Sequence, residues 1–181
     1  RQWLKHRETA WTKQTLATIE ASLVNHVFPR IGATPVDAVE PKAVRAVVKE
    51  IEARGAAETA GRVFQRIRAI YRYAIAHDLT ATDPTYPLKP AEIFKPRQTR
   101  HRASLPESEM PAFLRTLAAY DGDPRTQMAL ELLILTAVRP GELRGIRKDE
   151  IDEKRALWRI PAARMKMKTE HLVPLSTQAL A

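Results

Sequence analysis

The sequence predicts a mainly α-helical protein with two folded units, the second of which adds a small β-hairpin. Ala, Leu, Arg and Glu are plentiful, whereas only 6% of the 181 residues are aromatic and only six are Gly, and this composition favours helix over sheet. A short basic stretch near the middle of the chain has no apolar pattern, which is typical of a linker. We therefore predict one unit over residues 1–95, a basic linker over 96–102 and a second unit over 103–181.

Two helices are predicted early in the first unit. Apolar residues at helical spacing indicate a helix over residues 15–27, which Pro29 and Gly32 should end. A second helix should begin at Pro41, because proline has no N–H to leave unsatisfied in a first turn. Gly55 should stop this second helix, after which the chain is free to start another.

The longest predicted helix covers residues 57–77 and has two distinct faces. Its apolar face follows helical spacing and consists of Ala60, Val63, Phe64, Ile67, Ile70, Tyr71, Ala74 and Ile75. The opposite face is basic and polar and presents Arg62, Gln65, Arg66, Ala69, Arg72 and Tyr73. A DNA major groove accepts one α-helix, in which Arg and Gln contact base edges or phosphates. This face is a candidate DNA-binding surface, and the alternative is the ordinary solvated face of an amphipathic helix.

The second unit should combine helices with a hairpin. Helices are predicted over residues 106–117 and 126–138, and the second of these is apolar on nearly all sides, which predicts that it is buried. Short apolar segments at 156–160 and 171–175 are separated by a polar stretch and predict two paired strands. Ser176 is suited to be the N-cap of a further helix.

The charge of the chain favours a polyanionic partner. The net charge is +9 and the isoelectric point is about 10.1, and each Lys or Arg that meets a phosphate releases condensed counterions. Residues 1–100 carry a net charge of +7 and residues 101–181 carry +2. Double-stranded DNA is therefore the predicted partner, and Arg97, Arg100 and Arg102 of the linker are candidate contacts. Solvated charge without nucleic-acid binding is the alternative for the same residues.

Composition argues against several other classes of protein. The chain has no Cys, which excludes disulfides, thiolate metal sites and a cysteine nucleophile. Its five His residues are scattered without an HExxH-like pairing, so we predict no metal and no cofactor. No apolar run approaches the roughly 20 residues that cross a bilayer, and the first residues are too polar for a signal peptide. We expect a cytoplasmic protein without membrane contact.

Arg139 is the residue that most clearly suggests chemistry. It follows the apolar predicted helix and precedes Pro140 and Gly141, which break that helix and hold the arginine on a turn. A guanidinium at the start of the next short helix can bind a phosphate through two parallel hydrogen bonds. The alternative is an arginine that only caps a helix and is neutralised by Glu142.

Three segments of the sequence carry a family resemblance: TAVRPGEL at residues 136–143, RIPAARMKMKTEHLVPLS at 159–176 and ETAGRVFQRIRAIYRYAIAHDLTATDP at 58–84. They resemble segments of the tyrosine recombinases and, within that family, of the prophage-type integrases. The first is similar to the family's first arginine box, the second to the hairpin that carries its catalytic lysine, and the third to the last helix of its core-binding domain. The motifs follow the family's order, and the resemblance covers essentially the whole chain.

The resemblance implies a fold and a set of catalytic residues. It implies a helical core-binding (SAM-like) domain followed by a truncated α+β catalytic domain with a small β-hairpin. Arg139 would coordinate the scissile phosphate and stabilise its pentacoordinate transition state, and Glu142 would orient Arg139 from behind. Lys166 would protonate the departing 5′ oxygen as general acid, with Lys168 as the nearby competitor.

The resemblance also implies an activity that needs neither metal nor cofactor. DNA strands would be cleaved and rejoined through a 3′-phosphotyrosyl intermediate, by four protomers assembled on two sites in the bacterial cytoplasm, where the protein would be associated with the nucleoid. The family's HxxR box and tyrosine nucleophile, which follow the lysine, have no counterpart here, because the four tyrosines precede Arg139. We therefore expect a truncated segment that binds DNA without cleaving it. The rival interpretations are a non-catalytic DNA-binding regulator and a basic helical protein-interaction module.

Overall fold

The computed structural model describes residues 1–96, 103–165 and 167–181. The chain divides into two compact units, Arg1–Arg100 and His101–Ala181. The first unit is helical, and the second combines helices with a small antiparallel sheet. The prediction of a mainly α protein with an α+β second unit is confirmed.

The first unit contains the three predicted helices and, among its described residues, three short helices that were not predicted. They are α1 Gln2–Arg7, α2 Lys13–His26, α3 Phe28–Ile31, α4 Pro41–Ala53, α5 Ala57–Ala76 and α6 Pro90–Ile93. Helix α2 begins earlier than predicted because Thr12 caps it, its hydroxyl accepting the N–H of Thr15 at 3.2 Å. We expected Pro29 to end the helical structure that follows α2. Instead it lies in the first turn of the short α3, where a missing N–H costs nothing.

The core of the first unit lies between α4 and α5. Four apolar residues of α4 are fully buried against α5, and α1 and α2 add Trp3, Ile19 and Leu23. Most of the predicted apolar face of α5 is buried, with Phe64 only 2% exposed. Ile75, in the last turn of α5, is 40% exposed, so its predicted burial is wrong.

The second unit contains four α-helices and a three-stranded sheet within its described residues. Its elements are a 3₁₀ turn Glu107–Glu109, α7 Met110–Ala118, α8 Pro124–Thr136, α9 Pro140–Leu143, a 3₁₀ turn Lys148–Glu150, β1 Ile151–Asp152, β2 Leu157–Ile160, a 3₁₀ turn Ala162–Arg164, β3 His171–Pro174 and α10 Thr177–Leu180. The predicted hairpin is β2–β3, which pairs antiparallel with Trp158 opposite Val173. Strand β1 adds a third strand beside β2. Ser176 caps α10 as predicted.

Trp158 is the centre of the core of this unit. Its side chain is fully buried in a cluster with Ile160 and Val173 of the sheet, Val138 of the turn after α8 and Leu143 of α9. The indole Nε1 donates a hydrogen bond of 3.0 Å to the carboxylate of Glu150. The only polar group of a large buried ring is therefore satisfied.

Helix α8 is less buried than its sequence predicts. None of its residues is buried, and Met128 is 64% exposed. Ala129, Leu132 and Leu133 pack on the core around Trp158. A helix that is apolar all round is buried only where packing partners lie on every side, and the described part of this unit leaves Leu130, Ile134 and Leu135 of α8 exposed. Within the described residues, no helix combines the length and apolar character of a membrane span.

Candidate functional site

Arg139 lies at a sharp turn between two helices. Helix α8 ends at Thr136, and Ala137 adopts a left-handed conformation with φ of 53°, its N–H donating to the carbonyl of Leu133 at 2.8 Å. Arg139 is extended and is the N-cap residue of α9, with Pro140 in the first turn. Its side chain is 62% exposed. The sequence thus places a guanidinium on the surface at the start of a short helix.

Glu142 holds Arg139 at two points. One carboxylate oxygen accepts the backbone N–H of Arg139 at 3.0 Å, and the other accepts its guanidinium Nη1 at 2.6 Å. The Glu142 side chain is buried, whereas that of Arg139 is exposed. The backbone N–H of Arg139, together with its guanidinium, outweighs burial and lowers the pKa of Glu142. The carboxylate therefore stays ionised and fixes the side chain that reaches the surface.

This geometry gives the capping role to Glu142 and leaves most of the Arg139 guanidinium exposed. Arg139 occupies the N-cap position, but its side chain makes no capping hydrogen bond; instead the Glu142 carboxylate accepts the backbone N–H of Arg139. A guanidinium carries five N–H donors in a planar fork, and among the described residues only Glu142 engages this one. The exposed remainder of the guanidinium is available to an anionic ligand, so the ion pair with Glu142 is compatible with phosphate binding.

The lysine predicted as general acid, Lys166, lies outside the described residues. Its competitor Lys168 is exposed in the turn between β2 and β3, with a left-handed φ of 56° and its N–H donating to the carbonyl of Met165 at 3.1 Å. Met165 is buried and attaches this turn to the core of the second unit. The assignment of the general acid to Lys166 stays a prediction.

The predicted DNA-binding face of α5 is exposed along only part of its length. Arg62, Gln65 and Arg72 are exposed, and Arg62 forms an ion pair with Glu58 one turn earlier at 2.6 Å. Arg66 is half-buried, and burial, aided by the charge of Arg62, lowers its pKa. A surface groove runs beside these residues and is lined by Trp3, Trp11, Ile19, Arg62, Gln65, Arg66 and Ala69.

Tyr73 is partly covered by the N-terminal helix. Its ring centroid lies 5.0 Å from that of His6 in α1 and 4.1 Å from that of His77 at the end of α5. The side chain is half-buried and packs on the core of the first unit. The sequence predicted that Tyr73 lies on an exposed face of α5, because helical spacing does not reveal that α1 covers the C-terminal end of that face.

The other predicted contacts, Arg97, Arg100 and Arg102, lie outside the described residues. Among the described residues, no group of three or more His, Asp or Glu side chains is arranged to hold a metal ion.

Two family models match this chain in succession. The phage integrase central domain matches residues 1–91, and the phage integrase family matches residues 103–181. The chain belongs to the phage integrase family. This membership confirms the resemblance to tyrosine recombinases that the motifs indicated.

Curated integrases that resemble this one are longer. The integrase of Enterobacteria phage P4 is 37% identical, over 94% of this chain and 41% of the relative. The prophage integrase IntA of Escherichia coli (strain K12) is 33% identical, over 99% of this chain and 43% of the relative. The chain thus spans less than half the length of the curated relatives it matches.

Solved integrase structures share the fold of this one. A lambda integrase dimer bound to a COC′ core site has a TM-score of 0.75 and 19% identity, over 99% of this chain and 62% of that one. The Tn1549 transposon integrase in complex with a circular intermediate DNA has a TM-score of 0.81 and 14% identity, over 98% and 60%. At such identities the likeness shows the fold alone.

Sequence reasoning missed one residue beside the Arg139 turn of this integrase. Arg164 lies in the 3₁₀ turn that follows β2, and its guanidinium donates to backbone carbonyls of the α9 segment and to Glu150. No periodic pattern marks it. Its place two residues before Lys166, in the segment that resembles the family hairpin, is the only sequence signal that pointed to this neighbourhood.

Proposed function

We propose that these 181 residues are the DNA-engaging part of a phage-type integrase that catalyses site-specific recombination. The whole protein would cleave and rejoin DNA strands through a 3′-phosphotyrosyl intermediate. One observation carries the proposal: the exposed guanidinium of Arg139 is fixed from behind by the buried carboxylate of Glu142, with hydrogen bonds of 2.6 and 3.0 Å. Because both curated relatives are more than twice as long, the activity is assigned to the whole protein.

Arg139 would act on the phosphate that is attacked. Its exposed N–H groups can donate to two non-bridging oxygens of a phosphodiester, and negative charge on those oxygens grows in the pentacoordinate transition state. Preorganised donors stabilise such charge most when they need not reorient during the reaction. Glu142 supplies this preorganisation, because it fixes both the backbone and the guanidinium of Arg139.

The leaving 5′ oxygen requires a proton. We propose that Lys166 donates it as general acid, with Lys168 as the alternative.

The attacking tyrosine is not supplied by these residues. All four tyrosines precede Arg139, and the hydroxyl of Tyr71 donates to the carbonyl of Val36 while burial raises its pKa to about 12. We propose that the 181-residue chain binds DNA and does not cleave it.

DNA binding would rest chiefly on the basic first unit. Arg62, Gln65 and Arg72 are exposed along α5, where they can reach phosphates or base edges of a duplex. We propose Arg66, Tyr73 and the linker residues Arg97, Arg100 and Arg102 as further DNA contacts. One lambda integrase structure is a tetramer bound to a Holliday junction, and we propose that four copies of this integrase assemble likewise, on DNA of the bacterial nucleoid.

The test uses the full-length integrase that carries residues 1–181 and a nicked DNA substrate that traps the covalent complex. Wild type should form a protein–DNA adduct on a denaturing gel, and Arg139→Ala should lower its rate by about a hundredfold to a thousandfold while DNA binding persists. Arg144→Ala is the matched control, because Arg144 is exposed at the other end of α9. If the full-length wild type forms no adduct with any tested site, the regulator interpretation is favoured.

A further inference from the structure

Arg164 connects two segments of the second unit. Its side chain is 27% exposed. Nη1 donates to the carbonyl oxygen of Glu142 at 3.3 Å and to that of Gly145, and Nη2 donates to the carboxylate of Glu150. One guanidinium therefore bridges the α9 segment and the residue that immediately precedes β1.

The contact with α9 falls where that helix is weakest. The last carbonyls of any α-helix have no partner within the helix, and α9 is only four residues long, too short to be stable by itself. Arg164 donates to the carbonyl of Glu142 in the last turn of α9 and to that of Gly145, two residues beyond the helix, and basic side chains are known to satisfy carbonyls at helix ends. The turn that presents Arg139 is thus held at its start by the Glu142 side chain and at its end by Arg164.

Glu150 makes this attachment rigid. Its side chain is only 5% exposed, and it accepts both the guanidinium of Arg164 and the indole N–H of Trp158, which is at the centre of the core. A buried carboxylate with a single fixed guanidinium partner strongly resists separation, because separation would leave a buried charge unpaired. Arg164 therefore fixes the position of α9 relative to the sheet.

The missing side chain of Gly145 makes room for the close approach of Arg164. A Cβ atom added at Gly145 would overlap Nη1 of Arg164. Within the described chain Gly55 is the glycine with positive φ, so the backbone conformation at Gly145 does not require glycine. The space that a side chain would fill is used by the guanidinium.

We infer that Arg164 is a positioning residue for phosphoryl transfer, acting through α9 on Arg139. This inference rests on the proposed function of Arg139. Arg164 does not bind the phosphate; it holds the turn so that the exposed guanidinium of Arg139 meets the phosphate in one orientation. A displacement of about 1 Å at a reacting group can cost about a hundredfold in rate. Loss of the Arg164 guanidinium should therefore slow cleavage much more than it weakens DNA binding.

The test compares Arg164→Lys and Gly145→Ala in the full-length integrase with Arg139→Ala and wild type. Arg164→Lys keeps the charge beside Glu150 but cannot span three acceptors, and Gly145→Ala displaces an unchanged Arg164. Arg159→Ala is the control, because it removes an exposed arginine of β2 that pairs with Glu170 across the hairpin. Three quantities are measured: the Kd for DNA, the single-turnover cleavage rate with all DNA bound, and the melting temperature.

We expect both test variants to stay folded at the assay temperature, to keep Kd within about twofold, and to cleave about tenfold to a hundredfold more slowly. A substrate with a 5′-bridging phosphorothiolate, whose sulfur leaves without a proton, should not restore the rate, because the defect lies at the phosphate. Arg159→Ala should match wild type in all three measurements.

Three results would overturn the inference. The first is cleavage at the wild-type rate by Arg164→Lys and Gly145→Ala while Arg139→Ala is inactive. The second is a cleavage rate that falls only in proportion to the folded fraction of each variant. The third is full rescue of Arg164→Lys and Gly145→Ala by the sulfur substrate. The first result would still agree with the proposed function, because Arg139 would remain essential. Wild-type cleavage by Arg139→Ala would instead refute the proposed function itself.

Discussion

The carboxylate of Glu142 accepts two hydrogen bonds from one residue, Arg139: the backbone N–H donates to Oε2 at 3.0 Å and the guanidinium Nη1 donates to Oε1 at 2.6 Å. The first bond satisfies an N–H at the start of α9, and the second fixes the direction of an exposed cation. The same carboxylate therefore serves the stability of the turn and the orientation of the group that we assign to the phosphate.

The first prediction concerns the pH dependence that Glu142 contributes to stability. Its pKa is lowered in the folded protein, so its contribution is present above the unfolded pKa, about 4.3, and is lost as pH falls through the lower folded value. Glu142→Gln should lower the free energy of unfolding by about 1 kcal/mol at pH 7, as for loss of a helix cap. Denaturant titrations of the 181-residue chain at pH 7 and pH 3 should show this difference shrink in acid.

Glu153→Gln is the control for this measurement, because Glu153 is an exposed carboxylate in the same unit. It should leave the free energy of unfolding unchanged at both pH values. A Glu142→Gln variant with the same deficit at pH 3 as at pH 7 would contradict the role assigned to the ionised carboxylate.

The second prediction concerns the exposed basic residues of α5. Replacing Arg62 and Arg72 by Ala should weaken binding of duplex DNA to the 181-residue chain without unfolding it, because both side chains are exposed and changes at such positions alter stability little. If both contact phosphates, the slope of log Kd against log salt should fall by about one for each. Fluorescence titrations at several salt concentrations measure both effects.

Arg45→Ala is the matched control, because Arg45 is exposed on α4, outside the proposed surface. It should leave the salt slope of the 181-residue chain close to that of wild type. Equal losses of affinity for the α5 and α4 variants would indicate that net charge alone, and no particular helix face, determines binding.

The third prediction separates the core of α5 from its surface. Phe64 is 2% exposed and packs edge-on against Phe94, with ring centroids 6.0 Å apart. Phe64→Ala should lower the free energy of unfolding by about 3 to 5 kcal/mol, and its DNA affinity should fall only as its folded fraction falls. In thermal melting, Phe64→Ala should therefore be less stable than the Arg62/Arg72 variant. When both variants are folded, the Arg62/Arg72 variant should bind DNA more weakly than Phe64→Ala. A Phe64→Ala variant as stable as wild type would contradict the described core.

The sequence was sufficient for features that local chemistry determines. Pro41 at the first turn of α4 and the apolar repeat of α5 appear as predicted, because a missing N–H and helical spacing act within a few residues. The motif around Arg139 also predicted the helix break and the short α9 that follows it. Family resemblance then indicated the chemistry, which spacing alone left open between capping and phosphate binding.

Features that depend on distant contacts were missed or wrong. Helix α8 was predicted to be buried, yet Met128 is 64% exposed, because an apolar sequence does not reveal which sides have packing partners. Strand β1 has two residues, too few for an alternating pattern. Arg164 could not be recognised, because its acceptors at Glu142, Gly145 and Glu150 are 14 to 22 residues away in sequence.

The last prediction assigns the general acid in the full-length integrase. If Lys166 protonates the departing 5′ oxygen, Lys166→Ala should be strongly impaired on normal DNA, since general acid catalysis contributes about a hundredfold to ten-thousandfold. A 5′-bridging phosphorothiolate substrate should restore its cleavage, because a thiolate leaves without that proton. Arg139→Ala should stay impaired on both substrates, because it lacks stabilisation at the phosphate and not a proton.

Lys168→Ala is the matched control, because Lys168 is an exposed lysine in the same inter-strand turn, two residues further along. It should cleave normal DNA at nearly the wild-type rate, and all three variants should bind DNA with similar Kd. The comparison is made in single turnovers with all DNA bound, so that only the chemical step differs. If the sulfur substrate rescues Lys168→Ala while Lys166→Ala behaves as wild type, the proton comes from Lys168, and the general acid is the lysine in the left-handed conformation of the turn.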